Sequence, residues 1–201
     1  MATLLPAPDY SAVRPTARRA ELLAAAVRVV MHNDLPTASM DRIAEEAGVA
    51  RITLYREFRN KASLFEAVVA YRLLQFDEKF FRRLRPRGGL DDLIEDYIVA
   101  SSRQAHRNAT TRQWIDAGTG LLHPGSAVHE VSMATWAPCL AYFAGIDSPQ
   151  HAQLSAVVTW INYLQYLFSR AVSDTGLAEP DLRNLLRTFV APAFRTGGVE
   201  P

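Results

Sequence analysis

The residues best suited to recognition chemistry lie between positions 40 and 61 of this 201-residue chain. Arg51 and Thr53 stand at the start of a predicted short helix over 50–58. Polar side chains at the N-terminal end of such a helix can reach base edges in a DNA major groove. Lys61, which begins the next predicted helix, suits a phosphate because a helix N-terminus favours anions. The spacing therefore predicts a contact with nucleic acid.

Two short helices joined by a glycine turn are needed to position these side chains. Ser39 is a good N-cap for the first helix, and Gly48 follows its end, where a left-handed residue would stop it. The apolar face of that helix, at helical spacing, consists of Met40, Ile43, Ala44 and Ala47. Val49 and Leu54 also point inward in this arrangement. The segment is thus predicted to be a helix-turn-helix with Arg51–Phe58 as its recognition helix.

The remainder of the chain also reads as helix, because no segment shows the period-two alternation of a strand. Further helical patterns lie near 16–32, 61–84, 111–117, 126–144, 150–173 and 180–194, and one more begins near Asp91. Three prolines among small residues make 1–15 a mobile arm in this interpretation. We therefore predict an all-α fold.

Composition narrows the class of protein. A hydrophobic content of 49% is that of a globular chain with a real core, which excludes a disordered protein. Cys139 stands alone, so no intramolecular disulfide can form, which fits a reducing compartment. No window approaches 18 uninterrupted apolar residues, and the N-terminus lacks a signal-peptide core. We expect a cytoplasmic protein with no membrane partner.

Charge is distributed unevenly along the chain. Residues 1–87 carry 15 Lys and Arg against 10 Asp and Glu, a formal charge of +5, whereas 88–201 carry 7 against 11, a charge of −4. A basic half is typical of a protein that meets a polyanion. Residues 14–61 contribute only +3, however, with 9 basic and 6 acidic side chains. The spacing of the helix-turn-helix, rather than the charge, therefore carries the prediction.

These residues resemble the DNA-binding domain of the TetR family of transcriptional regulators. The matching features are Ile43-Ala-x-x-Ala47-Gly-Val49, Thr53-Leu-Tyr55, Phe58 and Lys61. The resemblance implies a homodimer with an N-terminal three-helix helix-turn-helix DNA-binding domain and a C-terminal helical domain that binds a small effector and dimerises. On this interpretation 1–15 is a flexible arm, 16–60 the DNA-binding domain and 61–196 the effector-binding and dimerisation domain, with 61–85 as a linking helix.

The resemblance also implies roles for individual residues in binding double-stranded DNA. The positions that face bases hold Arg51, Ile52 and Thr53. The positions that contact phosphate or its vicinity hold Thr37, Ser39, Arg42, Tyr55 and Lys61. Ala50 departs from the Ser or Thr that often caps the recognition helix, so no phosphate contact is expected from it.

Aromatic side chains in the C-terminal half suggest where an effector would bind. Pro138 removes a hydrogen bond inside a predicted helix, and a kink there could open space beside neighbouring rings. We predict a cavity that accepts a largely apolar small molecule, lined by Tyr97, Trp114, Trp136 and Tyr142.

The helix predicted over 150–173 is apolar around much of its circumference, so one face needs a partner beyond its own chain. A two-fold dimer with the last helix would supply that partner. The predicted interface residues are Val157, Trp160, Ile161, Leu164, Leu182, Leu185 and Phe189.

Three other classes of function remain as alternatives. An enzyme is disfavoured, because the chain has no Gly-x-Ser-x-Gly, no phosphate-cradling glycine loop and no His-Glu-x-x-His. No cofactor is expected, and no metal, because the spacing of His123, His129 and Cys139 matches no zinc pattern. Sequence-indifferent DNA binding without an effector, or a helical protein-interaction module, would give the same composition. Salt-dependent but sequence-indifferent binding would favour the former.

Overall fold

The computed structural model describes residues 8–32, 38–84, 88–107, 119–145 and 151–194, and all regular structure within them is helical. In chain order the helices are α1 (Ala17–His32), α2 (Met40–Glu46), α3 (Arg51–Phe58), α4 (Lys61–Arg83), α5 (Leu90–Arg107), α6 (Ala127–Ala144), α7 (His151–Thr175), α8 (Glu179–Leu185) and α9 (Ala191–Phe194). A short 3-10 helix, Thr119–Leu121, precedes α6, and one π-helical turn, Leu186–Val190, joins α8 to α9. The predicted all-α class is confirmed. The helix predicted over 111–117 lies outside the described residues.

The N-terminal helices pack around one apolar core. Ile43 of α2 and Leu54 of α3 are fully buried there, as predicted, and Leu64 of α4 is buried with them. Each such side chain contributes about 2 kcal/mol of burial free energy, which holds three short helices that would not be stable alone.

Helix α4 belongs to two cores. Its N-terminal half contributes Leu64 and Val68 to the first core, and its C-terminal half packs Phe76 and Phe80 against a second core built by α5 to α9. The first core also includes Val128 from the start of α6. A displacement of α4 would therefore disturb both cores.

Side-chain caps fix the start of α6. The Ser126 hydroxyl accepts a hydrogen bond from the backbone N–H of His129 at 3.0 Å. Glu66 of α4 accepts one from the N–H of Ala127 at 2.6 Å. A carboxylate at this end also interacts favourably with the helix dipole, so the beginning of α6 is tied to the second turn of α4.

The segment before α1 is anchored, in contrast to the flexible arm predicted over 1–15. Tyr10 is buried in the first core, and its carbonyl accepts hydrogen bonds from the N–H groups of Val13 and Arg14 in a tight turn. Arg14 forms an ion pair with Glu78 of α4. Within residues 8–15, Pro8 and Pro15 flank this turn, and the buried side chain of Tyr10 anchors it. Residues 1–7 lie outside the described part of the chain.

Ion pairs hold α8 and the π-helical turn against α5. Glu95 is almost wholly buried, and its two carboxylate oxygens accept from Arg183 at 2.7 Å and Arg187 at 2.9 Å. Arg183 also donates to Asp96 at 3.0 Å and to Glu179 at 3.1 Å. Two arginines one turn apart thus orient the last helices.

No helix in the described ranges combines the length and the apolar character that a membrane span requires. Within the same ranges, no group of three or more His, Cys, Asp or Glu side chains is arranged to hold a metal ion.

Candidate DNA-binding surface and ligand groove

The turn between α2 and α3 has the geometry that the glycine predicts. Gly48 adopts a left-handed φ of 64°, its N–H bonds the carbonyl of Glu45, and the N–H of Val49 bonds that of Ala44, each at 3.0 Å. This pair of bonds is a Schellman motif, which ends a helix and redirects the chain. The predicted Ser39 cap is also confirmed, since its hydroxyl oxygen accepts from the N–H of Arg42 at 3.2 Å.

Helix α3 divides into a buried and an exposed face. Leu54 and Phe58 are buried in the first core. Ile52 is 75% exposed, although a side chain of this kind is usually buried. Ala50 provides no side-chain cap, as the sequence predicts. An exposed isoleucine beside polar neighbours suits apolar contact with a thymine methyl group.

Arg51 is held by two neighbours on the same surface. Its guanidinium lies 3.0 Å from the carboxylate of Asp41 and donates to the Tyr55 hydroxyl at 3.3 Å. The hydrogen bond from Arg51 to Tyr55 and the charge of Asp41 raise the pKa of the guanidinium above its ordinary value. The three side chains form one polar cluster at the exposed end of α3, with Thr53 half-buried beside it.

The candidate phosphate contacts lie on both sides of α3. Ser39 stands at the start of α2, and its hydroxyl hydrogen is available for donation while its oxygen caps the helix. Arg42 is exposed one turn further on. Lys61 begins α4, with its ammonium 5.3 Å from the centre of the Phe65 ring. Thr37 lies outside the described residues.

A tight turn at Arg59, which the sequence analysis missed, sets the angle between α3 and α4. Arg59 has φ 60° and ψ −53°, and the N–H of Asn60 bonds the carbonyl of Phe58 at 2.6 Å. This is a γ-turn, a strained conformation for a residue with a side chain. Asn60 then caps α4 by accepting from the N–H of Ser63 at 2.8 Å. An asparagine followed by a helical pattern is the signal that could have revealed the cap.

Two of the four aromatic residues predicted to line an effector cavity pack directly against each other. Tyr97 and Trp136 are fully buried and pack edge to face with ring centres 4.9 Å apart. Phe81 also packs edge to face on Trp136, with ring centres 6.4 Å apart. Tyr142 is 44% exposed, away from both. Helix α6 continues through Pro138, and Trp114 lies outside the described residues. Tyr97 and Trp136 therefore fill one another's space, and the pocket formed by all four side chains stays a prediction.

A buried polar network joins the first core to the second. Asp77 of α4 is fully buried and accepts hydrogen bonds from the hydroxyls of Tyr97 at 2.7 Å and Thr135 at 2.6 Å. The Tyr10 hydroxyl lies 3.3 Å from that of Thr135. Burial raises the pKa of the Asp77 carboxyl to about 7, although both hydrogen bonds oppose the shift. Only long-range packing places these four residues together, so sequence spacing could not reveal them.

An open groove of about 910 Å³ lies between α4 and α5. Its apolar floor includes Phe76 and Phe80, whose rings pack edge to face on Tyr97 at 5.4 and 5.2 Å. A volume of this size matches typical small-molecule sites. Tyr97 connects the groove to the buried network, because its ring contacts the floor and its hydroxyl bonds the Asp77 carboxylate. The rim holds six cationic side chains and one carboxylate, namely Arg72, Lys79, Arg83, Arg103, Arg107, Arg183 and Asp96.

Comparison with known proteins agrees with the surface around α3. The family described as bacterial regulatory proteins, tetR family, matches residues 22–68. A TetR transcriptional regulator from Rhodococcus sp. RHA1 is 27% identical over 87% of this chain and 96% of its own, with a TM-score of 0.62. Residues 22–68 thus match the TetR family, and the fold of the chain is similar to that of a TetR transcriptional regulator. This similarity supports a DNA-binding regulator.

A second solved structure supports the same fold over most of the chain. The TetR-family repressor AlkX from Dietzia sp., implicated in biodegradation of n-alkanes, is 18% identical, covers 89% of this chain and 96% of its own, and has a TM-score of 0.63. The comparison with curated proteins finds no match. TetR regulators bind DNA and small-molecule effectors and act as dimers.

The residues predicted for a TetR-type dimer interface divide into two sets. Ile161 and Leu182 are fully buried in the protomer's own second core, so they support the helices rather than present a surface. Val157, Leu164 and Leu185 are half-buried. The exposed apolar side chains of this face are Trp160, Tyr163, Leu167 and Phe189. Tyr163 and Leu167 were missed, although both lie at helical spacing from Trp160.

Proposed function

We propose that this protein is a dimeric repressor that a small effector with a large apolar part releases from a near-palindromic operator. The observation that carries this proposal is the exposed end of α3, where Arg51 and Ile52 project beside a cationic α4 N-terminus. The effector-binding part of the proposal is supported by the groove along α4, the helix whose first residue is Lys61. In this proposal the DNA-binding domain comprises 16–60 and the effector-binding and dimerisation domain 61–196.

In the bound complex, Arg51, Ile52 and Thr53 of each subunit face bases in successive major grooves. Arg51 must leave Asp41 to reach a guanine, for which a guanidinium is the best-matched side chain. The backbone contacts come from Ser39, Arg42, Tyr55 and Lys61, with Thr37 preceding α2. These contacts fix orientation without reading sequence.

Dimerisation rests on the exposed apolar face of α7. Trp160, Tyr163 and Leu167 follow one another at spacings of three and four residues, and Phe189 of the π-helical turn is 74% exposed. Monomeric proteins rarely expose such a contiguous face. A two-fold axis through it would pair identical surfaces and place two recognition helices symmetrically.

Effector binding would act through α4. A ligand on Phe76 and Phe80 would contact the ring system that includes Tyr97, whose hydroxyl bonds Asp77. The N-terminal end of α4 carries Lys61. If the ligand favours an arrangement in which the recognition helices are wrongly spaced, DNA affinity falls. Linkage then requires DNA to weaken ligand binding by the same factor.

The DNA contacts are tested by selecting binding sites from a random DNA library and repeating the titration with variants. We expect Arg51→Ala to relax the preference at one base position by about 1–3 kcal/mol. Lys61→Ala should weaken binding to all sequences and lower the salt slope by about 1. Arg82→Ala, an exposed cation far along α4, serves as the control and should change neither.

Two results would contradict this function. An unchanged base preference in Arg51→Ala would remove the base-reading role. Selection of no preferred sequence, together with salt-dependent binding, would instead support the sequence-indifferent DNA binder.

A further inference from the structure

The rim of the groove between α4 and α5 carries cations that the described part of the chain does not neutralise. Lys79, Arg83 and Arg107 line the groove without a carboxylate partner in that part of the chain. Arg72 is half-buried, and its guanidinium donates to the neutral amide of Gln75 at 3.0 Å. Four cations facing one groove repel one another, so the free protein carries an electrostatic cost that an anion would relieve.

The other charged side chains of the rim form ion pairs within the protein. Arg103 pairs with Glu179, and Arg183 pairs with Glu95, Asp96 and Glu179. Asp96 is the carboxylate of the rim and is thereby neutralised. The remaining charge of the groove is therefore positive, and it comes from the four cations described above.

The floor of the groove is apolar, whereas its rim is cationic. Phe76 and Phe80 are half-buried, with ring centres 6.2 Å apart, and Val99 and Ala100 of α5 complete an apolar surface beneath the cations. Bare inorganic phosphate would leave this surface exposed to water, and a neutral hydrocarbon would leave the cations unpaired. A molecule with an apolar body and an anionic head satisfies both.

DNA is a poor candidate for the occupant. Arg72 and Arg83 lie 11 and 22 residues from Lys61 along α4. At 1.5 Å of rise per residue these intervals correspond to about 16 and 33 Å. The groove is thus well removed from the end of α4 that lies beside the recognition helix.

We propose that the effector is an amphipathic organic anion, a carboxylate, sulfonate or phosphate ester with an aromatic or aliphatic body, held in this groove. The body lies on Phe76 and Phe80, and the head is paired by Arg72, Lys79, Arg83 and Arg107. The effector role of this ligand rests on the proposed function. The inference refines the expected largely apolar ligand by adding an anionic group. Recognition of the anion itself does not depend on DNA binding.

The test uses two fluorescent probes that share one body. Anilinonaphthalene sulfonate carries the anionic head, and phenylnaphthylamine is the same ring system without it. The full-length protein should bind the sulfonate about tenfold more tightly, a difference of about 1.4 kcal/mol. Added salt should weaken the sulfonate alone, because only that complex depends on charge.

Variants then assign the site. Lys79→Gln combined with Arg83→Gln removes two exposed cations, and it should reduce sulfonate affinity about tenfold while leaving the neutral probe unchanged. Ala100→Glu, which adds a carboxylate at the floor, should have the same effect. Arg82→Gln removes an exposed cation of the same helix outside the groove and should bind both probes normally. Circular dichroism and thermal melting of each variant show that it is folded.

Equal affinity for the two probes, or sulfonate binding that the groove variants leave intact, would overturn the proposal. DNA binding is measured separately on the selected operator. Sulfonate bound in the groove with no effect on the operator complex would uphold the ligand class and overturn the effector role. Failure to select an operator would count against the proposed function. The probe titrations would still show whether the groove binds the anion.

Discussion

At the scale of single residues, Asp77 is the least expected feature of the molecule. It is an acid in the middle of a long helix, fully buried, with hydroxyl groups rather than cations as its partners. Burial disfavours the charged form more strongly than the hydrogen bonds from Tyr97 and Thr135 favour it, so its pKa rises to about 7. The same surroundings raise the pKa of Cys139 to about 12. The junction between the two cores is therefore sensitive to proton concentration near neutrality.

Asp77→Asn should change how stability depends on pH. In the unfolded chain this carboxyl releases its proton near the ordinary aspartate pKa of 3.8, whereas the folded protein holds the proton to about 7. The unfolded state thus binds fewer protons between these values, so the free energy of unfolding falls as pH rises through that window, by up to about 4 kcal/mol. Urea unfolding at several pH values should show this fall in the parent protein.

The Asp77→Asn variant should lose most of that slope and be more stable than the parent above neutrality, since an amide can still bond both hydroxyls. Asp181→Asn, an exposed acid in the first turn of α8, provides the control and should keep the parent slope. The same slope in Asp77→Asn as in the parent would show that another group is responsible.

At the scale of elements, features set by local sequence were predictable, whereas features set by long-range packing were not. The helix-turn-helix was predictable because its signals are local: a cap at Ser39, a left-handed Gly48 and apolar residues at helical spacing. The groove was not, because periodicity identifies an apolar helix face without saying which neighbour covers it. Tyr97 and Trp136 looked like ligand-binding rings for that reason, yet each fills the other's space.

The ion pairs between α5 and the last helices give an element-scale prediction. Glu95→Gln removes the charge that Arg183 and Arg187 share and should lower the free energy of unfolding by about 2 kcal/mol. This is less than the loss for a fully buried pair, because Arg187 is largely exposed and the amide oxygen still accepts. Glu21→Gln, which changes an exposed side chain of α1, should stay within about 0.5 kcal/mol of the parent. Equal stability of the two variants in urea would mean that the pairs do not hold α8.

At the scale of the whole molecule, two surfaces with opposite requirements share one chain. In the proposed function the α3 surface stays accessible to DNA, whereas a second copy of the chain covers the α7 face. Their separation on different cores lets one subunit use both at once, and α4 is the element that belongs to both cores.

Leu167→Glu combined with Phe189→Glu should dissociate the proposed dimer, since each change places a charge in an apolar interface. Sedimentation at micromolar concentration should show a monomer, and operator affinity should fall as the two half-sites lose their linkage. Ser11→Glu, at an exposed turn before α1, should remain dimeric. A parent protein that sediments as a monomer would contradict the interface itself.

The ion pair between Arg51 and Asp41 has a consequence for the search that precedes operator binding. On arbitrary DNA the guanidinium has no guanine waiting at the right place, and it can stay with its own aspartate at 3.0 Å while the backbone contacts slide along the phosphates. Only a sequence that offers two acceptors at once competes with that partner. If α3 faces DNA as proposed, Asp41 reduces the time that the protein spends on incorrect sites, because its carboxylate competes with such DNA for Arg51.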